Sequence, residues 1–421
     1  MRDRALTVHS SRAVAIAVFT LIAASYVIPL FVPDPSLLWA ANDEVCCHVL
    51  TIKAIQQEGL LTAVTDYKHY RSATTPLYHM LMSVVLGRVD PLLIRIFWIV
   101  VALGVGWLLY QHVRTDSRLR RGERAAVAIT IAFLLSPTVR ASAVYFLTDG
   151  LAVHLAIGAL VLLRRARAGA AFSAPLAAFA IILGFASFYT RQYYLWATVY
   201  VAYSVFSDAP GASAKVAVST GCLLLAVPAV GLFRLWHGFT TPLGFRIHTD
   251  PVLLSTVPNA LGLLAIYSLP LAWIALRDTV SRTRLSVWMF GLGGITLYIA
   301  IGLVLGFKVP QAGGILRVVN VFGSLGRVVF LLVSSVGLIM LLRWVVVDGP
   351  WQLWWVVFLL PLFAGSVLLQ RYFEPAILVF MFLVARPRDA LQVLDSPLVW
   401  YYPLFTAVYA LSRTIYFAAN L

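Results

Sequence analysis

An all-α, polytopic membrane protein is the fold this sequence predicts, and three observations carry the prediction. The 421 residues are 61% hydrophobic, with a mean hydropathy of +0.89. Apolar stretches close to the roughly 20 residues that cross a bilayer core as a helix recur along the whole chain. Arginines stand mostly between these stretches, so the formal net charge of +15 is spread over short loops. Such helices must satisfy their backbone polar groups inside one bundle, which predicts a single integral-membrane domain over residues 1–421 and no soluble domain. Nucleic acid is not an expected partner, because the basic residues form no single patch with interleaved aromatics. Three cysteines, Cys46, Cys47 and Cys222, make no disulfide framework.

The elements follow in order. The first apolar run, 13–31, comes after Arg2, Arg4 and Arg12 and is longer than a signal-peptide core, so it reads as a retained span with the N-terminus in the cytoplasm. The arginine-rich loops 114–124, 164–167 and 277–284, Arg343, and 386–388 are expected to be cytoplasmic under the positive-inside rule. Only one crossing then fits between 31 and 114, so 32–90 is a first extracytoplasmic loop with juxtamembrane helices. In it, "DEVCCHVLTIKAIQQEG" reads as an amphipathic helix capped by Asn42 or Asp43 and closed by Gly59, with Val45, Val49, Ile52 and Ile55 on one face. The stretch 74–87 is too short to span and reads as interfacial or re-entrant. Further spans are expected near 91–111, 125–137, 148–163, 173–189, 193–206 and 214–233, so that 91–233 completes a first helix module. A C-terminal module, 234–421, would add 258–276, 286–306, 328–345, 352–369, 374–385 and 397–418. That makes about thirteen spans, with breaks expected at Pro137 and Pro361.

In this threading the outer side collects the acids, the histidines and several arginines. Arginine there opposes the positive-inside tendency and calls for an anionic partner. Each such residue also has an ordinary reading: Asp43 and Glu44 as helix-start acids, Thr148 and Asp149 as caps, Arg191 and Arg371 reaching to headgroups, Trp196 and Tyr372 as interface or packing aromatics. Glu44 and His48 share a helical face, but no third ligand completes a metal site and none is expected.

Six short blocks stand in order: the DE pair of "NDEVCCHV", then "TTPLYHM", "YFLTDG", "FYTRQYYLWA", "RLWHG" and "LLQRYFEPAILVF". This series resembles the multi-span, polyprenyl-phosphate-sugar-dependent glycosyltransferases of the GT-C type. It is most similar to the dolichyl-phosphate-glucose α-1,2-glucosyltransferase family, which adds the last glucose to the lipid-linked N-glycan precursor. That family carries DE with a histidine four further on, TTPxLY, YxTD, FRQxNxxW, WxG and EPRYFxxP. Here the fourth block lacks the asparagine, and Gln370 stands where the family has proline before Arg371. These departures bear on donor sugar and acceptor more than on reaction class, and a compact chain with only four lysines points to a bacterial relative.

The resemblance implies a GT-C-like bundle with its active site on the extracytoplasmic face, periplasmic or ER-luminal. It implies an inverting transfer of a hexose, glucose favoured, from a polyprenyl-phosphate-linked donor to a hydroxyl of a lipid-linked or other glycan acceptor. Asp43 is then the candidate base, with Glu44 next. The donor phosphate would be held by Arg191 and Arg371, then Lys68 and Lys308. Substrate would meet His48, Thr75, Tyr145, Thr148, Asp149, Gln192, Trp236, Tyr372 and Glu374. A leaving group with a single phosphate can be stabilised by cationic side chains, so no metal or other cofactor is expected. The alternatives are a mannosyl or pentosyl transferase of the same type, or a transporter or flippase of lipid-linked sugars. The last would favour ionisable groups at mid-membrane, where only Arg95 and His154 lie in or near spans.

Overall fold

The computed structural model describes residues 19–31, 37–65, 72, 74–168, 172–238, 253–280, 319, 322–363 and 373–418. Among them the secondary structure is helical, with no strand. Lys68, Lys308, Arg371, Tyr372 and the expected span 286–306 lie outside the described residues.

After α1 (Phe19–Leu30), the first loop holds α2 (Leu38–Asp43), a π-helical turn (Glu44–Val49), α3 (Leu50–Glu58), α4 (Leu60–Thr65) and α5 (Leu77–Val85). Then come α6 (Pro91–Arg114), α7 (Gly122–Leu135), α8 (Pro137–Val144), α9 (Thr148–Ala168), α10 (Ala174–Thr190), α11 (Leu195–Asp208) and α12 (Gly211–Leu235). The C-terminal part contains α13 (Leu253–Tyr267), α14 (Leu269–Val280), α15 (Gly323–Asp348), α16 (Trp354–Phe363), α17 (Ala376–Val379), α18 (Arg388–Asp395) and α19 (Tyr401–Ala418).

The expected count of about thirteen spans is corrected. Among the described residues three helices, α6, α12 and α15, are long and apolar enough to cross a membrane, and up to five spans result if each bent pair counts as one. One pair is α7 with α8, bent by 56° where Pro137 breaks the amide ladder. The other lies across Ser268 in the expected span 258–276, bent by 72° just before Pro270. α9 has the length of a span but carries Asp149 in its first turn and Arg165 and Arg167 in its last, while α10 is a shorter apolar helix. The hydropathy pattern counts apolar runs; it does not register where proline, serine or an end charge divides them. α5 is a short helix with Tyr78, His79 and Met82 buried, as its length implied.

The connections place the polar ends of the helices consistently. Arg386 reaches Asp116 at 2.6 Å, Arg164 donates to the carbonyl of Thr115 at 2.6 Å, and the Arg121 amide donates to Asp395 at 3.0 Å. Arg343 lies 3.4 Å from Asp389. Basic loops far apart in sequence thus share one end of the bundle, at the C-terminus of α6. Glu44 of the first loop packs at the other end, against Arg95 near the N-terminus of α6.

The core between the helices is built from small residues and aromatics. Ala125, Ala126, Ala128 and Ala132 of α7 are all fully buried, letting neighbouring backbones approach as membrane helices commonly do. Trp196 is fully enclosed, edge-on to Phe380 at 5.3 Å, which assigns it to packing. Apolar side chains such as Leu223, Val227 and Val230 of α12 and Phe97 and Val100 of α6 point outward, where hydrocarbon would cover them. α13 and α15 approach closely: a Cβ on Gly337 would stand 2.1 Å from the Leu261 carbonyl oxygen. Gly337→Ala is therefore expected to destabilise the protein by about 1–3 kcal/mol in thermal unfolding in detergent. Gly104→Ala, with nothing near its would-be Cβ, is the control, and equal behaviour of the two would refute the close contact.

Candidate functional site

The opening motif is not a helix start. α2 runs directly into the π turn and then α3, so Asn42 and Asp43 lie within a continuous helix and cap nothing. The unpaired amides of a helix end belong to its first turn, which here begins at Leu38. Gly59 does close α3, with φ of +82° and its amide on the Ile55 carbonyl at 3.0 Å. The wider π turn shifts the register of the helical face. Val45, expected to share one face with Ile52 and Ile55, is 67% exposed while those two are buried, and Glu44 and His48 are each only 5% exposed.

Glu44 meets Arg95, projecting from otherwise apolar α6, at 2.8 Å. The guanidinium lies 5.4 Å from the ring centre of Tyr145 and 5.2 Å from that of Phe146, so Tyr145 enters the cluster as a cation–π partner. Burial pushes the Glu44 carboxyl above the ordinary glutamate range, and the charge and hydrogen bond of Arg95 with the Phe146 amide oppose it.

The ring of His48 stacks on His79, the histidine of "TTPLYHM", with centroids 5.1 Å apart and Nδ1 of His48 2.9 Å from Nε2 of His79. One nitrogen donates and the other accepts, so the contact excludes two imidazolium ions. Burial, then the charges of His48 and Arg191, hold His79 well below the usual histidine range. The folded protein resists protonating His79 while the unfolded chain does not, so stability is present above about pH 6.5, the unperturbed histidine pKa, and is lost as pH falls below it. Unfolding curves between neutral and mildly acidic pH should show this loss, and His79→Gln should weaken its steepness; an unchanged slope would refute the assignment.

Arg191, at the C-terminal end of α10, contacts Asp149 of α9 at 2.8 Å with both side chains 5% exposed, so it does not reach to headgroups. The glycine of "TDG" has a steric reason: a Cβ on Gly150 would come 2.6 Å from the Ser142 Cβ, so α8 and α9 approach closely just where Asp149 is placed. Thr75 donates to the Phe188 carbonyl at 3.0 Å, anchoring the segment before α5 to α10. Thr148 is fully buried, and its hydroxyl has no hydrogen-bond partner among the described residues. Gln192 is buried beside Arg191, and burial with the charge of Asp149 raises the nearby Tyr194 phenol.

The clusters adjoin: Arg191 acts on His79, and Glu44 and Arg95 act on Tyr78. Two further expected substrate contacts are buried. Trp236 is buried with Ala54, Ile55 and Leu232, bracing α3 from behind. Glu374 is buried before α17, where neighbouring Phe373 packs on Tyr267 and Phe358 in the main core. Arg95, Tyr78, His79 and Tyr194 were not among the residues expected here. An arginine inside an apolar run was the readable signal for the first, while the others needed the packing.

Glu44 and His48, spaced as a metal pair could be, are engaged with Arg95 and His79. Asp43 is half-buried, its carboxylate within 4.8 Å of the thiols of Cys46 and Cys47. Three such donors on one helical face could hold a thiophilic cation with a fourth ligand from outside. Comparisons of the chain with known protein families, with curated proteins and with solved structures find no match.

Proposed function

We propose that the protein is a polyprenyl-phosphate-sugar-dependent glycosyltransferase with a GT-C-like bundle, working at the bundle end opposite its arginine-rich loops, on the extracytoplasmic side. The observation that carries this reading is the packing of the Glu44–Arg95 pair, the His48–His79 pair and the buried Asp149–Arg191 pair into one polar cluster at that end, with Glu44 and His48 in the helical turn next to Asp43. The order of the six sequence blocks supports the reaction class.

In this reading Asp43 takes the proton of the acceptor hydroxyl as its oxygen attacks the anomeric carbon. The bond from that carbon to the phosphate oxygen breaks on the opposite face, and the phosphate leaves with the electron pair. A β-linked donor therefore yields an α-linked product. Arg95, 26% exposed in its side chain and steadied by Glu44, is the cation best placed to meet the departing phosphate. Arg191, fixed by Asp149, adds positive field behind it, and Arg371 is retained from the sequence pattern. His48 and His79 hold the π turn against α5 and so position Asp43. The reaction itself needs no metal, since the leaving group carries one phosphate.

The test is transfer by purified, lipid-reconstituted protein from labelled polyprenyl-phosphate glucose, mannose and a pentose to a pool of membrane glycolipids. Transfer from glucose supports the preferred reading, and transfer from another donor assigns the mannosyl or pentosyl alternative. Movement of lipid-linked sugar across vesicles without any transfer would replace the enzyme by a carrier.

A further inference from the structure

At the end of the bundle away from the proposed active site, helices α6, α9 and α11 and the segment before α18 line an open cavity of about 490 Å³. Four arginines line it: Arg118, Arg164, Arg167 and Arg386. Their charges are only partly met. Asp116 is shared between Arg386 at 2.6 Å and Arg118 at 3.2 Å, and Arg167 pairs with Asp208 at 2.5 Å. Arg164 finds carbonyls instead, those of His112 and Thr115 at the C-terminus of α6. Among the described residues, then, four guanidiniums face two carboxylates.

Arg386 shows the same excess at atomic level. Its backbone is in the left-handed region, with φ of +45°, a conformation that non-glycine residues adopt at a cost. Its Nε is buried with no hydrogen-bond partner among the described residues. A donor held in this way in a cationic concavity is suited to an anion with several acceptor oxygens. The cavity also has apolar and aromatic walls, from Leu160, Leu383, Tyr200 and Trp351. It lies about 26 Å along α6 from Arg95, at 1.5 Å per residue, so it is separate from the site above.

We propose that this cavity binds a phosphate group, with its guanidiniums donating to the phosphate oxygens. The apolar walls and the position at the C-terminal end of α6, a helix long and apolar enough to span, suit a phosphate carried by an anionic lipid, and a soluble phosphate offers the same chemistry.

The test uses the full chain in phosphatidylcholine nanodiscs, with or without phosphatidylglycerol. Retained lipid is counted by native mass spectrometry and thermal unfolding is followed; a second arm adds inorganic phosphate or pyrophosphate to the phosphatidylcholine discs. Phosphatidylglycerol should be retained in preference to phosphatidylcholine, and Arg118→Gln and Arg386→Gln should each weaken this about fivefold. Arg120→Gln removes the same charge from an exposed position outside the cavity and should leave retention unchanged. Arg118 is half-exposed, so its variant remains informative if Arg386→Gln does not fold. Retention of phosphatidylglycerol assigns the lipid source; stabilisation by phosphate or pyrophosphate alone, lost in Arg118→Gln, assigns the soluble one. Neither response in the wild type, or equal weakening by Arg120→Gln, overturns the proposal.

Discussion

Asp149→Ala is expected to lower stability by about 3–5 kcal/mol, because it leaves the Arg191 guanidinium buried without its carboxylate. The two groups touch at 2.8 Å with 5% of each side chain exposed, so water cannot take over the lost contact as it would at a surface pair. Asp149→Asn keeps an acceptor for the guanidinium and should cost less. Removing both charges, as in Asp149→Leu with Arg191→Met, should recover much of the loss, since a buried pair replaced by apolar residues of similar volume is often tolerated. Thermal unfolding of the four proteins in one detergent is the measurement. A double variant no more stable than the Asp149→Ala single variant would show that the pair is not the source of the effect. Such a double variant should still lose transfer activity, because the field of Arg191 would be gone.

Asp43→Asn is the second large expected effect. It removes the proposed general base without changing its shape, so kcat should fall by roughly 10²–10⁴ while donor binding is retained. Glu44→Gln is expected to act differently. Glu44 is joined to Arg95 at 2.8 Å, so its neutral replacement should loosen that arginine and raise KM for the phosphate-bearing donor more than it lowers kcat. Steady-state kinetics with both variants separates these roles. Collapse of kcat in Glu44→Gln, with Asp43→Asn nearly as active as wild type, would transfer the base to Glu44. The pH profile gives an independent check, since an acid limb that vanishes only in Glu44→Gln would make the same reassignment.

Taken by itself, the sequence determined the helical membrane class and the grouping of the arginine-rich loops. Hydrophobic run length and the spacing of charges are properties of the chain that any packing must respect. Arg95 was visible as an arginine inside a long apolar run, and Gly59 as a helix end, for the same local reasons. The tertiary structure alone decided what the polar residues do. Hydropathy could not show that Ser268 with Pro270 divides an apolar run, or that the π turn carries Val45 outward and Glu44 and His48 inward. Nor could it match His48 with His79, Asp149 with Arg191, or Arg386 with Asp116. Each of these pairs joins segments far apart in the sequence, and a buried charge or imidazole takes whichever partner packing brings within hydrogen-bond reach, so its choice is settled only when the helices have docked.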